Sequence, residues 1–524
     1  MLKTHEGGND SPCRDLSLLH LRKDIGKAWR TSPSLVTLSN FCAQDPKDAQ
    51  PTSEVWAINH ELDRSHAAIR RDLDHAVHKE ADQMANIIKL PWGNTELCVP
   101  LPASWRVLGE LVPKKSTPAG PGACRKALLN PIDSERLGVR NLQGKKILLV
   151  IDDHSRPTPV DSFLHEVLDE LAEGGASQEN IRALIATGVH RAIRPDELEK
   201  KLGKDNMTRL LCHCHDAYDK SGLATLGTTS RGTKVVLNRL LLESDLIVCI
   251  GSIEPHLLLG FGGGLKTIIP GCAGAETIGK NHLQGVDPDH FDAVGVKGDT
   301  SPMRLDLEEG AQMLGKEFFI INVAMNEMAQ PTRFFCGHPI RAHRMGEIFV
   351  EQTACLEVPA PSDVVLTNSY PMEFDLRQSV KCLGNTLYAC KPNGVMMACV
   401  KSEFGLGEMP LPRKTLPYSV MRTLLKIIGK KRVLPFVKKV KEGQPVEEIF
   451  IGHFGLQMLR RNHLALFSDS SHLPEDIGGK MGLAKSFKRV DDLVEWTRSH
   501  APSKATVWVF PYGGSTYARI SNST

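Results

Sequence analysis

Three times between Lys145 and His256 a short apolar run empties into a loop crowded with polar and charged residues. Ile147 to Ile151 leads into Asp152-Asp153-His154-Ser155-Arg156-Pro157, and helical spacing at Phe163, Val167, Leu168 and Leu171 then stops at Gly174-Gly175. Ile181 to Ala186 leads into Thr187-Gly188-Val189-His190-Arg191, followed by a helix from Pro195 to Leu202 with proline at its first position. Asp245 to Ile250 leads into Gly251-Ser252-Ile253-Glu254-Pro255-His256. Apolar runs this short, bounded by polar loops, are strands buried on both faces. Their alternation with helices dictates an α/β fold with a doubly wound parallel sheet. In such sheets ligands bind beyond the carboxyl ends of the strands, where all three polar clusters fall.

With 524 residues the chain has room for two to four domains of about 100–200 residues each. Residues 1–87 are polar and mixed in charge and read as an extension, partly disordered or helical. Residues 88–315 form a first α/β domain and residues 316–524 a second. Order begins near Ile88, where Leu90, Leu97, Val99 and Leu101 start a strand-like pattern broken by Pro91, Pro100 and Pro102. In the second domain Phe318 to Val323, Asp363 to Leu366, Leu387 to Cys390 and Val395 to Val400 read as strands.

A net charge of +3 nominates neither nucleic acid nor a membrane surface as partner. No apolar run approaches the roughly 18 residues of a membrane helix, and residues 1–30 carry no signal-peptide core, which places the protein in the cytoplasm. The 13 cysteines are odd in number, scattered through apolar segments and without a Cys-x-x-Cys pair, as reduced core thiols are. The basic stretch Lys426 to Lys441 is interrupted by Leu434, Pro435, Phe436 and Val437 and reads as an amphipathic solvated helix. His213-Cys214-His215-Asp216 reads as a structural loop.

The strand-end loops carry the chemistry. Arg156 offers a two-pronged clamp for a carboxylate and Asp153 an acceptor for a hydroxyl, although a structural ion pair uses the same residues. His190 and His256, at equivalent strand ends, converge on one crevice and suit proton exchange near neutrality. Gly262-Gly263-Gly264 with Lys266 fits neither the Walker nor the Rossmann spacing, yet bare backbone amides there can approach an anion. His282 is a candidate metal ligand.

Taken in order, Asp152-Asp-His-Ser-Arg-Pro157, Ala186-Thr-Gly-Val-His-Arg191, Glu254-Pro-His256, Gly260-Phe-Gly-Gly-Gly264 with Lys266, Pro270-Gly271 and Asn281-His282 resemble the nickel pincer nucleotide-dependent lactate racemase family. Ser369-Tyr-Pro371 with Asp375, Gln378 and Lys381 is similar to that family's C-terminal substrate motif. The resemblance spans about Ile88 to Phe510 and implies two α/β domains with the cofactor site in the cleft between them, the first catalytic and cofactor-binding, the second contributing substrate-binding residues. It implies an isomerase that inverts C2 of a 2-hydroxy acid by hydride transfer to nickel held on a pyridinium-3,5-bisthiocarboxylic acid mononucleotide. His190 and His256 would be the acid/bases and His282 the nickel ligand, with Lys266 the lysine that can be joined to the cofactor. Asp153, Gly262, Gly263 and Gly264 would contact the cofactor, and Arg156, Gln378 and Lys381 would hold the substrate. Proteins that make the cofactor are implied partners. The chain departs from the family at Leu259, Gly262 and Arg377, so the resemblance leaves open which 2-hydroxy acid is used. The rival readings are a non-catalytic cofactor- or hydroxy-acid-binding protein on the same fold, and a divalent-metal hydrolase or lyase built on the same histidines.

Overall fold

A computed structural model describes residues 86–521 apart from 287–292, 408, 410, 413 and 443–445. Of the expected extension, 1–87, all but Asn86 and Ile87 lies outside the described residues. The strands of the two six-stranded sheets, and of the hairpin β1–β2 that packs on one of them, are β1 Asn86–Trp92, β2 Thr95–Leu101, β3 Arg106–Glu110, β4 Ile147–Asp152, β5 Ile181–Ala186, β6 Leu211–Cys214, β7 Leu246–Ile253, β8 Glu317–Met325, β9 Pro331–Gly337, β10 Ser362–Asn368, β11 Cys390–Cys399, β12 His463–Phe467, β13 Lys485–Phe487 and β14 Thr506–Phe510.

The first sheet runs β9-β8-β7-β4-β5-β6, with only β9 antiparallel to its neighbour. Its strands are sealed on both faces because successive side chains point to opposite sides. Ile147, Leu149 and Ile151 join one core with Val248 and Ile250, while Leu148 and Val150 join the other with Ile247 and Cys249. The helix Leu164–Glu173 covers the first face through Leu164, Val167, Leu168 and Leu171, which sit three and four residues apart. The helix Pro195–Leu202 starts at proline, and Glu197 reaches back to the Arg194 amide at 2.9 Å as a cap.

The second sheet runs β13-β12-β11-β10-β14-β3, parallel throughout. The hairpin β1–β2 lies on it: Ile88, Leu90, Val99 and Leu101 share a core with Val364, Leu366, Val395 and Val507. Pro91 and Pro100 do not break these strands, since a two-stranded ribbon has outward edges on which a missing N–H costs no partner.

The chain therefore does not divide between the sheets at 315/316. β3 is hydrogen-bonded to β14, and β8, placed by the sequence reading in the second domain, is hydrogen-bonded to β7 in the first sheet over Glu317–Ala324. Long-range pairing decides sheet membership, and an apolar strand carries no local mark of its neighbour. Leu387–Ala389 is a single turn of 3-10 helix rather than a strand, and the two expected strands around Asn393 are one, Cys390–Cys399.

Candidate functional site

The carboxyl ends of β4, β5 and β7 open into a cavity of about 240 Å³, closed on the far side by Arg377 to Lys381 and by residues Phe450 to Ala484. Asp153, Arg156, His190, His256, Gly263, Lys266, His282, Gln378 and Lys381 all line it. The sequence reading thus brought together groups that lie 228 positions apart at their extremes, because parallel strands deliver their loops to one edge. Gly262 and Gly264 do not face the cavity. The Gly262 amide donates to the Glu254 carbonyl at 2.7 Å and the Gly264 amide to Asn322 Oδ1 at 2.8 Å. From beneath, fully buried Arg304 donates to the Phe261 and Gly263 carbonyls, and the His343 ring meets the Gly262 carbonyl. The loop is glycine because it packs closely: at Gly263, with φ +74°, a Cβ would stand 2.9 Å from the Ser252 carbonyl oxygen.

Each catalytic candidate is wired by its surroundings. His190 Nδ1 is hydrogen-bonded to Asp153 Oδ2, while Asp153 Oδ1 accepts from Ser155 N at 3.1 Å and Ser155 Oγ at 2.6 Å. Burial would raise the Asp153 carboxyl, but His190, Arg156 and Ser155 hold it well below the usual carboxylate range. A permanently charged carboxylate fixes the proton on Nδ1 and leaves the His190 Nε2 lone pair for the cavity. His256 is wired in the opposite sense. Its Nδ1 accepts from the Leu258 and Leu259 amides, both at 3.2 Å, so the neutral ring carries its proton on Nε2. Burial first, then the charges of Lys266, Lys381 and Arg156, push its pKa well below 6.5 and keep the ring neutral.

His282 lies on the helix Ala275–Gln284 with Nδ1 held 2.7 Å from the Ile278 carbonyl, which leaves Nε2 available. Burial, opposed by that bond, lowers its pKa to about 4. Burial and then Arg156 lower Lys266 to about 7. Lys381 Nζ donates to Gln378 Oε1, and the Gln378 backbone is pinned by Asp375 Oδ1, the cap of its short helix, at 2.8 Å.

Glu254, quoted in a motif but given no role by the sequence reading, is a second buried anion of the site beside Asp153. Its Oε1 takes Arg156 Nη1 at 3.1 Å, and its Oε2 accepts from Ser252 Oγ. Burial would raise its pKa, yet Arg156 and Lys266 bring it below the ordinary value. Asp152 ties the floor together, pairing with Lys201 Nζ at 2.6 Å and accepting from Thr158 Oγ1 at 2.5 Å and Ser252 N at 3.2 Å. Away from the cavity, His215 hydrogen-bonds the Ala273 carbonyl and Asn238, a structural use of the His213–Asp216 loop.

This arrangement has known relatives. A family profile described as the lactate racemase N-terminal domain matches residues 92–292. The lactate racemase of Thermoanaerobacterium thermosaccharolyticum is 31% identical over 422 residues, covering 78% of this chain and 97% of the relative. The chain belongs to the lactate racemase family. The lactate racemase of Lactiplantibacillus plantarum is 28% identical over 313 residues, 58% of this chain and 73% of the relative. The solved lactate racemase apoprotein from Thermoanaerobacterium thermosaccharolyticum superposes with a TM-score of 0.70 at 27% identity, over 83% of this chain and all of that one. A solved protein from Thermotoga maritima shares the fold with a TM-score of 0.58 at 19% identity, over 78% of this chain. As a member of the lactate racemase family the protein is an isomerase, a racemase. Among the described residues no helix is long and apolar enough to cross a membrane.

Proposed function

We propose that the protein inverts the C2 centre of a 2-hydroxy acid, the class to which the lactate of its named relatives belongs, with a nickel pincer nucleotide as cofactor. The observation that carries this reading is the pair of imidazoles wired in opposite senses on one cavity, beside a third whose Nε2 is open. The residues fit the cofactor. A neutral imidazole whose other nitrogen is bound to a carbonyl is the donor a borderline divalent metal takes, and His282 supplies it. Lys266, with its pKa at about 7, holds a substantial neutral fraction at neutral pH, as an amine that joins a thiocarbonyl must. Gly263 and Asp153 border the same space. When bound, the nucleotide supplies the acceptor and donor for the hydrogen on C2.

The chain's own residues handle the substrate and its proton. Arg156, held by Glu254 through one nitrogen, keeps its remaining donors for the carboxylate, and Lys381 and Gln378 close on it from the other side. His190 accepts the hydroxyl proton at Nε2, and Asp153 stabilises the resulting imidazolium. His256 exchanges the hydroxyl proton at Nε2 as an imidazole/imidazolium couple, its other proton then sitting on Nδ1 in place of the two backbone hydrogen bonds: as base it takes the substrate proton, and as imidazolium it returns it. Every described cysteine is a free thiol, which supports a cytoplasmic setting, where proteins that build the nucleotide would be its maturation partners.

The test is nickel content and intact mass of protein made alongside the cofactor-building enzymes, followed by chiral analysis of a panel of 2-hydroxy acids. Stoichiometric nickel with a sulfur-bearing nucleotide and inversion of a panel member is expected. His190→Ala and His256→Ala should each abolish inversion with nickel retained. Zinc or manganese without such a nucleotide, or inversion by the double variant, would refute the reading.

A further inference from the structure

The cavity has two unlike halves. Its charged groups come from the strand-end loops, the helix Ala275–Gln284 and residues Arg377 to Lys381, whereas every lining residue from Phe450 to Ala484 is apolar or glycine. We propose that this apolar half receives the side chain of the substrate, so that the enzyme prefers 2-hydroxy acids with a large branched or aromatic side chain over lactate, an inference that rests on the function proposed above.

The two halves meet beside His256 and Lys381. Leu257 directly follows His256, and Gly384 lies one helical turn after Lys381. A Cβ at Gly384 would stand 2.6 Å from Leu257 Cδ2 and 2.7 Å from Phe454 Cζ, so glycine lets these two side chains close over the helix beside the polar groups. The Phe450 ring lies 6.1 Å from the His282 ring and 6.1 Å from the Phe454 ring, a continuous aromatic path from the candidate metal ligand into the apolar half. On the next side Leu483 is pressed onto the helix Val446–Arg461 that carries Phe450 and Phe454, where a Cβ at Gly455 would come 2.6 Å from Leu483 Cδ1. Met458 and Met481 complete the wall.

A phosphate or ribose in this half would lose its hydrogen bonds with water and find no partners among these residues. The methyl of lactate would leave most of it unfilled, and unfilled apolar space forfeits contacts. A branched or aryl group fills it, and flexible methionines adapt to either. Arg377 does not contradict this. Its charge bears on His282 and Lys381, which places it at the polar end with the carboxylate anchors.

Loaded enzyme is assayed by chiral chromatography with lactate, 2-hydroxy-4-methylpentanoate and 3-phenyllactate. At least one of the larger acids is expected to show a kcat/KM about 10-fold or more above lactate, the scale of a few methylenes in an apolar pocket. Leu483→Trp, which fills the chamber, should shrink that ratio. Calorimetric titration of the same protein with 4-methyl-2-oxopentanoate and with pyruvate reads the chamber without turnover, and tighter binding of the larger keto acid is expected. Lactate favoured or equal, or pyruvate bound as tightly, overturns the side-chain assignment while leaving the racemase reading intact. Inversion of no acid by nickel-loaded protein overturns that reading instead, and the titration then decides the chamber alone.

Discussion

Replacing Lys266 by methionine removes an amine from a place that disfavours its charge. Burial and the Arg156 guanidinium lower Lys266 from the usual 10.5 to about 7. At ~1.4 kcal/mol for each tenfold change in proton affinity, that is an upper bound of ~5 kcal/mol. Lys266 is half-buried on a cavity wall that water enters, which reduces the figure to roughly 2 kcal/mol. Between pH 7 and 10.5 the unfolded chain binds this proton and the folded one does not, so the lysine makes stability rise with pH across that window. Below pH 7 the folded protein bears the whole cost, and above 10.5 none. Urea unfolding of cofactor-free protein followed by circular dichroism should therefore find Lys266→Met more stable than the native chain at pH 6 by roughly 2 kcal/mol, with the gap closing towards pH 10. Glu254 keeps Arg156 at 3.1 Å in the variant and is not left unpaired. A variant no more stable at pH 6, with an unchanged pH slope, would refute the depressed lysine and with it a neutral amine at physiological pH.

Asp153→Asn should leave nickel in place while lowering kcat by about 10²–10⁴-fold, because an amide neither fixes the His190 proton on Nδ1 nor stabilises the imidazolium; a loss below 10-fold in the chiral assay would deny it that role. Nickel affinity should not depend on His282 protonation down to pH about 5 and should begin to weaken as the pH falls below about 4, where a proton on His282 starts to compete with the metal. A colorimetric chelator reads this, and His282→Ala should fail to retain nickel at any pH. Gly263→Ala should cost roughly 1–3 kcal/mol in denaturant unfolding, since it puts a Cβ on a left-handed residue 2.9 Å from the Ser252 carbonyl oxygen.

The residues that meet at the cavity were more legible in the sequence than the frame that holds them. Ile147–Ile151 and Leu246–Ile250 are legible as strands because both faces are buried, which leaves an unbroken apolar run, and their polar sequels are legible as a site because parallel strands end together. Sheet membership was not legible: β3 pairs with β14 and β8 with β7 through backbone hydrogen bonds that any apolar strand could make. Glu254 was visible but mute, since its meaning is an ion pair to a residue 98 positions away. The apolar wall was hidden for a deeper reason. Leu466, Met458 and Phe454 belong to the core of the second sheet and its helices, and their spacing is the same whether a side chain meets another side chain or an empty cavity. In the proposed reading the polar motifs carry the reaction, whereas the size of the molecule that undergoes it would be set by residues Phe450 to Ala484, whose sequence reads as ordinary interior. A swap of Leu483 or Met458 between relatives should change which acid is inverted without touching any residue that handles the proton.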